Sequence, residues 1–570
     1  MKNNKQLLLT DEAIALAALH AGLSGVYAYP GTPSTEITEF IQQHPLTRER
    51  GIHCRWCTNE KTAMEAALGM SYAGKRAMVC MKHVGMNVCA DAFVNSAVTG
   101  VNGGLIVVAA DDPSMHSSQN EQDSRFYGQF AMVPILEPAN QQEAYDMVAK
   151  AFDLSEQLRL PVLLRIVTRL AHSRAAVAVD EQVREPNSLQ PDEGKHWVLL
   201  PAIARKQYSR LVDLQPTLVQ QAGQSPFNRL IPMGGKGTGI IACGIGYNYV
   251  MEQLDASETI TITNNSVIRR PRTGCSAILK ISQYPLPEQL ISQLADQSEQ
   301  LLVVEDGQPF VEQQVKALLG KDYPVVGRLT GHLPRTGELT PDNVRAASLT
   351  LGDRCSRDAD SPLSSLVSPL NIVVPRPPAL CQGCGHRDVY KALNEVAADY
   401  PGARIFGDIG CYTLGALPPY SAIATCVDMG ASITMAKGAA DAGLFPAIAI
   451  IGDSTFTHSG MTGLLDAVNE NANITIVISD NLTTAMTGGQ DSAGTNKFEA
   501  ICIGLGVPKE HVRVVVPLPK NMEEITRILR EEIEYKGVSV IIPRRECIQT
   551  AARHRPEAGR KSAHAVTHQA

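Results

Sequence analysis

Two short polar strings, Gly452-Asp453-Ser454 and Asp480-Asn481, each follow an apolar run of strand length. Continuous apolar runs are typical of strands buried on both faces of a parallel sheet, and residues 461–468 between them show helical spacing. This pattern predicts a β-α-β unit that brings Asp453 and Asn481 together at the carboxyl edge of the sheet, where open α/β sheets bind ligands. A carboxylate and an amide oxygen suit Mg²⁺, which often bridges phosphates. Asp and Asn also end strands simply as turn formers, and for one isolated pair that alternative is stronger.

The composition excludes several classes of protein. A chain of 570 residues should hold roughly three domains or more. A net charge of −7 and a pI near 6.1 argue against a nucleic-acid partner. No apolar run has transmembrane length, and the apolar stretch after Asp11 and Glu12 contains His20, which does not fit a signal peptide. We therefore expect a cytoplasmic protein without a membrane contact.

The 13 cysteines are scattered and odd in number. This distribution favours buried thiols or metal ligands over a disulfide framework.

Strands alternate with helices along the chain, which predicts an α/β fold of doubly wound parallel sheets. Thr10 or Asp11 is expected to open a helix that runs to Ala21, and further helical spacing covers Asn59 to Tyr72. The predicted organisation is a first domain over 1–180, a connector over 181–235, a smaller α/β domain over 236–350, a Ser- and Asp-rich linker over 351–370, a third domain over 371–550, and a polar tail over 551–570 that we expect to be disordered.

Two segments of the first domain stand where a strand gives way to a helix. The segment from Pro30 to Ile37 is predicted to follow a strand and to begin a helix, with Ser34 as the candidate N-cap of that helix. Glu60 falls in the first turn of the helix that begins near Asn59, where a glutamate is normally an electrostatic cap worth under about 1 kcal/mol.

The strings Gly-Asp-Ser and Asp-Asn resemble the thiamine diphosphate signature, usually written GDG, a spacer of about this length, then NN. The resemblance implies that Asp453, Asn481 and the backbone carbonyl of Thr483 hold the metal on the diphosphate. It also implies a glutamate against N1′ of the aminopyrimidine, where it promotes the imino tautomer whose nitrogen deprotonates C2. Glu60 is the residue predicted for that role, and Glu65, further along the same helix, is the alternative.

Several strings together resemble the large subunit of indolepyruvate:ferredoxin oxidoreductase, from the N-terminus to about Arg545. They are YPGTPSTEI (29–37), NEK (59–61), MKHVG (81–85), SSQNEQDSR (117–125), RPPALCQGCGHR (376–387), GDSTF (452–456) and AMTGGQ (485–490). The resemblance implies two doubly wound thiamine diphosphate-binding domains, of pyrimidine and diphosphate type, separated by a smaller transketolase C-terminal-like α/β domain. It further implies oxidative decarboxylation of an aryl pyruvate such as indolepyruvate to an acyl-CoA, with a small β subunit in an α2β2 assembly and an electron acceptor protein.

The same resemblance assigns roles to individual residues. It places the Thr32 hydroxyl beside the substrate carboxylate. Polar loops that follow two strands could bind the 2-oxo acid, and arginine suits bidentate recognition of a carboxylate; the candidates are Lys82, His83, Asn87, Gln122 and Arg125. Each of these taken alone is more typical of a solvated loop. The residues implied at the cofactor are Glu60, Gly383, His386, Cys411, Met429, Gly430, Asp453, Ser454, Asn481 and Met486.

Four cysteines occupy roughly the places where related 2-oxoacid:ferredoxin oxidoreductases bind an Fe–S cluster near the cofactor. They are Cys381, Cys384, Cys411 and Cys502, and a [4Fe–4S] cluster takes four thiolates. The alternative is a turn beside the diphosphate with thiols that are buried as small apolar groups.

The chain departs from the family pattern after its third domain. The family's large subunit normally continues into a ferredoxin-like domain with two cysteine-rich runs, whereas only Cys547 follows here. The predicted smaller domain over 236–350 has no flavin fingerprint, since Tyr249 stands where a dinucleotide-binding loop needs its third glycine. We therefore expect a partner that bears an Fe–S cluster or a flavin to take the electrons.

Two other functional classes are left open by the sequence. A non-oxidative thiamine-dependent 2-oxoacid decarboxylase would explain the departure from the family pattern, and a non-catalytic scaffold is the third hypothesis. The intact Glu60, Asp453 and Asn481 speak against the scaffold.

Overall fold

A computed structural model describes residues 5–180, 182–192, 194–235, 237–255, 258–263, 266–271, 275–351 and 379–553. The chain forms two compact units, Met1–Pro369 and Leu370–Ala570. The predicted linker over 351–370 and tail over 551–570 lie almost wholly outside the described residues.

The first unit alternates strands and helices. Its strands are β1 (Lys5–Leu9), β2 (Gly25–Ala28), β3 (His53–Trp56), β4 (Ala77–Lys82), β5 (Leu105–Asp111), β6 (Ile135–Leu136), β7 (Val162–Val167), β8 (Arg174–Ala178), β9 (Arg229–Pro232), β10 (Thr238–Cys243), β11 (Glu258–Thr263), β12 (Ser266–Pro271), β13 (Cys275–Ile281), β14 (Gln283–Tyr284), β15 (Gln300–Val304) and β16 (Val325–Val326). Its helices are α1 (Thr10–His20), α2 (Thr35–Gln43), α3 (Pro45–Glu49), α4 (Glu60–Tyr72), α5 (His83–Thr99), α6 (Arg125–Phe130), α7 (Gln141–Leu158), α8 (Thr168–Ala171), α9 (Pro201–Asp213), α10 (Gln215–Gly223), α11 (Gly246–Asp255), α12 (Glu288–Asp296), α13 (Phe310–Leu319) and α14 (Pro341–Thr350).

A seven-stranded sheet in the order β14-β6-β7-β5-β4-β2-β3 forms the centre of this unit. All its neighbouring strands are parallel except β14 and β6. Every residue of β4 and β5 is buried, as their continuous apolar sequences predict. The chain leaves β2 toward β3 on one side and returns to β4 on the other, so the loops after β2 and β4 meet at a topological switch point, where such sheets bind ligands.

A second, five-stranded sheet packs against the first. Its order is β16-β15-β10-β13-β9, and only β9 is antiparallel to its neighbour. Val79 and Val107 of the first sheet and Ile241 and Leu279 of the second belong to one apolar core. Within 181–235, for which we predicted a connector, the structure has α9, α10 and β9. The predicted boundaries of the three domains stay a prediction.

The second unit is built on a parallel sheet in the order β17-β18-β19-β23-β22. Its strands are β17 (Arg404–Phe406), β18 (Ala447–Gly452), β19 (Ile474–Ser479), β20 (Thr483–Thr484), β21 (Gln490–Asp491), β22 (Val512–Val515) and β23 (Val538–Pro543). Its helices are α15 (Gly385–Ala397), α16 (Ala431–Asp441), α17 (Asp453–Thr455), α18 (Met461–Asn469), α19 (Phe498–Gly504), α20 (Met522–Glu534) and α21 (Ile548–Arg553).

The predicted β-α-β unit of β18, α18 and β19 is confirmed, and so is the α/β fold class with parallel sheets. Among the described helices, none combines the length and the apolar character needed to cross a membrane.

Candidate active site

The ends of β18 and β19 bring the two predicted metal ligands together. Gly452 pairs with Ser479 across the parallel strands. The residues just beyond share a donor, because the Thr483 amide donates to Asp453 Oδ2 at 3.1 Å and to Asn481 Oδ1 at 3.1 Å. A carboxylate oxygen and an amide oxygen are thereby held side by side, as a hard cation requires.

Asp453 lies in an environment that suits a bound cation. Its side chain is buried, and burial raises its pKa to about 7, with the Asp480 carboxylate raising it further. Amides of Ser454 and Thr483 donate to it and partly offset this effect. Since a dication would favour the ionised carboxylate, the donor set fits Mg²⁺ on a diphosphate. The role of the Thr483 carbonyl as a third ligand stays a prediction.

A buried aspartate that we did not select from the sequence shapes the neighbouring turn. Asp408 accepts from the Gly430 amide at 3.2 Å and from the Ser432 hydroxyl at 2.7 Å, and Tyr412 donates to its other oxygen. Burial raises the pKa of Asp408 to about 7. Gly430 has a φ of +95°, and a Cβ there would stand 2.6 Å from Ser459 Cβ, so only glycine fits. The signal for Asp408 in the sequence is its place two residues after Phe406, the last residue of β17.

Four thiols line one cavity of about 120 Å³ in the second unit, together with His386 and Asn481. They are Cys381, Cys384, Cys411 and Cys547. Burial raises the pKa of Cys411 to about 12, and the other three thiols raise it further, as does Asp453. In the described part of the chain these sulfurs do not gather within 4.8 Å of one another, so their spacing is wider than that of a single-ion site.

Cys502, the fourth cluster ligand predicted from the sequence, is placed elsewhere. It is fully buried on α19 in the apolar core with Phe498 and Ile476 and does not line the cavity. This prediction was wrong, because helix α19 turns its apolar face, which carries Cys502, toward the sheet. Cys547, just beyond β23, lines the cavity instead of Cys502, and its amide donates to the Asn481 carbonyl at 3.0 Å.

His386 is one of the predicted cofactor residues of this unit. His386 is buried, its Nδ1 lies 3.3 Å from Cys384 Sγ, and its Nε2 has no hydrogen-bond partner among the described residues. Burial lowers the pKa of His386 to about 4, so the ring is neutral. An orphaned ring nitrogen in a cavity wall fits a bound polar group.

Four further predicted cofactor residues lie in the described part of this unit. Gly383 forms the turn between the first two thiols with a φ of +76°. Ser454 Oγ accepts from Thr484 Oγ1 at 2.9 Å. Met429 is half-buried, whereas Met486 is 61% exposed, so the contacts of Met486 stay a prediction.

In the first unit, Glu60 begins α4 and is buried. The preceding Asn59 caps the helix by accepting from the Thr62 amide at 2.9 Å. A Cβ at Gly85 of α5 would stand 2.9 Å from Glu60 Oε1, so the Glu60 carboxylate packs against the backbone of α5 at a position without a side chain. Glu65 is exposed and paired with Lys61, which favours Glu60 for the activating role.

Lys82 and His83 lie where β4 passes into α5, at the switch point. Lys82 Nζ donates to the Ser117 carbonyl at 2.6 Å and lies 3.9 Å from Asp112, and burial lowers its pKa to about 8. His83 is buried as well, and burial lowers its pKa. A Cβ at Gly31 would stand 3.2 Å from Lys82 Cβ, so the turn that carries the half-buried Thr32 packs against Lys82.

Ser34 occupies the N-cap position of α2, but its side chain does not cap the helix. Its hydroxyl donates instead to the Gly31 carbonyl at 2.8 Å.

Arg125 differs from its prediction as a substrate-binding loop residue. It begins α6, is fully buried, and pairs with Asp123 at 2.5 Å and Glu305 at 3.0 Å. Arg165 joins the same network through Asp111 at 2.7 Å. Because these carboxylates already neutralise its charge, Arg125 ties the two sheets together and is not placed to receive a substrate carboxylate.

Two protein families match parts of this chain. Residues 16–210 match the family described as pyruvate flavodoxin/ferredoxin oxidoreductase, thiamine diphosphate-binding, and residues 408–542 match the thiamine pyrophosphate enzyme C-terminal domain. The chain is 38% identical to the indolepyruvate oxidoreductase subunit IorA of Archaeoglobus fulgidus, over 99% of this chain and 90% of the relative. It is 37% identical to that of Methanothermobacter thermautotrophicus, over 98% of this chain and 89% of the relative.

A solved 2-oxoglutarate:ferredoxin oxidoreductase from Magnetococcus marinus, with 2-oxoglutarate, coenzyme A and succinyl-CoA bound, aligns at 15% identity. The alignment covers 60% of this chain and 64% of that chain, with a TM-score of 0.47.

The fold, the site and the family matches define a catalytic subunit of the thiamine diphosphate-dependent 2-oxoacid oxidoreductases. More narrowly, the chain belongs to the family of the indolepyruvate oxidoreductase subunit IorA.

Proposed function

We propose that this subunit oxidatively decarboxylates an aryl 2-oxo acid such as indolepyruvate to an acyl-CoA. The observation that carries the proposal is the pair of Asp453 and Asn481, held by one shared amide at the ends of adjacent parallel strands. It stands in a chain that is 36–38% identical to indolepyruvate oxidoreductase subunits. Asp453, Asn481 and the Thr483 carbonyl are the proposed ligands of Mg²⁺ on the diphosphate.

Thiamine diphosphate supplies the nucleophilic carbon and the electron sink of the reaction when it is bound. Glu60 is proposed to hold a proton at N1′ of the aminopyrimidine, and its burial excludes water from that proton. Thr32, Lys82 and His83 are proposed to bind the 2-oxo acid carboxylate, since the Lys82 ammonium is a cationic group at this switch point. Arg125 has no part in this proposal.

Cys381, Cys384, Cys411 and Cys547 are proposed to hold a [4Fe–4S] cluster. The support is that all four thiols line one cavity, where burial raises the pKa of Cys384 and of Cys411 and neighbouring thiols raise both further. Iron would favour the thiolate forms that burial disfavours. The cluster would carry electrons toward a protein acceptor and a small β subunit, in an α2β2 assembly.

The alternative function is non-oxidative decarboxylation of the same 2-oxo acid. The two functions differ in their product: the oxidative reaction with coenzyme A gives an acyl-CoA, and the non-oxidative one gives an aldehyde. The fourth thiol at the cavity favours the oxidative reaction. Aldehyde as the sole product of the iron-loaded complex would establish the alternative.

The metal assignment is tested by calorimetry of thiamine diphosphate binding in the presence of Mg²⁺. Asp453→Ala removes the charged ligand and should weaken binding by more than about 100-fold. Asp466→Ala, on the exposed face of α18, is the matched control and should bind as the wild type does. Wild-type affinity in Asp453→Ala would refute the proposed metal site.

A further inference from the structure

A carboxylate outside the proposed active-site residues lies at the start of α1. Asp11 is fully buried, and neither of its oxygens accepts a hydrogen bond from the described residues. At the helix start, Glu12 accepts from the Leu9 amide at 2.8 Å, and the Thr10 hydroxyl donates away from the helix to the Leu170 carbonyl at 2.7 Å. Asp11 is therefore not the helix cap that the sequence suggested.

Glu36 and His172 stand beside Asp11. One ligand atom from each of the three residues lies within 4.8 Å of the other two. His172 Nε2 is 3.6 Å from Glu36 Oε1, while Glu36 Oε2 has no hydrogen-bond partner in the part of the chain that the structure describes. The residues come from α1, from the first turn of α2 and from the position after α8, so the fold assembles the group.

The electrostatics of this group disfavour an ionised Asp11 in the absence of a counter-charge. Burial raises the pKa of Asp11 well above its usual value, and Glu36 and Glu12 raise it further. The hydrogen bond from His172 lowers the pKa of Glu36, and Glu36 in turn raises the pKa of His172. A single imidazolium thus faces two carboxylates, one of them inside the protein, which is costly unless a proton or a cation stands between them.

We propose that a divalent cation binds Asp11, Glu36 and His172. Two carboxylate oxygens and one imidazole nitrogen are a ligand set that Mn²⁺ and Zn²⁺ accept. The Glu36 and His172 side chains are 37% and 38% exposed, so water can complete the coordination shell from outside while Asp11 closes the inner side.

The ion would hold the turn between β2 and α2 in place. Glu36 is the second residue of α2, directly after that turn, and the turn itself packs against Lys82 through Gly31. The proposed ion therefore ties α1 and α8 to the segment that carries Thr32. It is a second metal site, separate in sequence and in compact unit from Asp453.

The test measures Mn²⁺ binding by electron paramagnetic resonance on the full chain after treatment with EDTA and without thiamine diphosphate. Mn²⁺ is the probe because the cavity thiols prefer softer ions. Asp11→Asn keeps the size of the side chain, removes its charge, and should lose about one Mn²⁺ per chain. Asp453→Ala should keep that Mn²⁺, and Glu65→Gln, an exposed carboxylate of the same unit, should bind as the wild type does.

A second variant and a second readout keep the result decisive. His172→Gln changes a half-exposed side chain and should also lose the Mn²⁺, even if Asp11→Asn folds poorly. Mn²⁺ should raise the Tm of the wild type and leave the Tm of both variants unchanged.

Equal Mn²⁺ binding by the wild type and both variants would overturn the proposal. So would a wild-type Tm that Mn²⁺ does not change, because a proton shared between Asp11 and Glu36 predicts that outcome. Neither result depends on thiamine diphosphate, so failure here is distinguishable from failure of the proposed function.

Discussion

Glu60 is the residue on which activation of the cofactor is proposed to depend. Glu60→Gln keeps the size and helix propensity but cannot hold the proton, so exchange of the cofactor C2 proton should slow by about 100-fold or more. NMR on the cofactor-loaded protein measures this rate. Glu65→Gln, on the same helix but exposed, should exchange at the wild-type rate. Unchanged exchange in Glu60→Gln would assign the role to another carboxylate.

Cys547 is the residue by which the proposed cluster ligands differ from those predicted from the sequence. Cys547→Ala should reduce the iron content of anaerobically purified protein from about four atoms per chain and bleach its visible absorbance. Cys502→Ala should keep both, because Cys502 lies in the apolar core. Loss of iron in Cys502→Ala but not in Cys547→Ala would make Cys502 the fourth cluster ligand. A wild-type protein free of iron would refute the cluster itself.

The close approach of α4 and α5 is a feature of the elements that position Glu60. Gly85→Ala would place a methyl group 2.7 Å from Glu60 Cγ and should destabilise the first unit by about 1–3 kcal/mol. Gly69→Ala, on α4 with no atom within 4 Å of the new Cβ, should instead stabilise it by about 0.5–1 kcal/mol. Urea unfolding measures both values. Equal effects would show that the helices do not meet at Gly85.

The elements of the fold were largely predictable, whereas the contacts between distant side chains were not. The apolar runs ending at Gly452 and Ser479 fixed β18 and β19 because a buried parallel strand must be continuously apolar. Cys502 was misplaced because the local sequence does not reveal which face of a helix turns inward. Arg125 was misplaced because its partner Glu305 lies 180 residues away in the sequence, and only the fold brings the two together. Asp11, Glu36 and His172 carry no common motif, so only the fold brings them together.

At the scale of the whole molecule, we expect the electrons to leave through another polypeptide. One [4Fe–4S] cluster holds a single electron at a time, while each turnover releases two. The isolated chain should therefore reduce artificial acceptors poorly, and addition of the partner subunit should restore acceptor reduction. Stopped-flow measurement of acceptor reduction, with and without the partner, checks this. Full-rate ferredoxin reduction by the isolated chain, free of iron and flavin, would contradict it.

The shared core of the two sheets in the first unit sets a limit on how this chain can be divided. Removal of residues 236–350 would strip Ile241 and Leu279 from the core and take Glu305 away from the fully buried Arg125. Loss of a partner from a buried ion-pair network is strongly destabilising. The smaller sheet is thus not a module that can be exchanged by itself. A chimaera between relatives must exchange residues 1–350 as one piece. Proteolytic cleavage within this region should unfold both sheets in a single step.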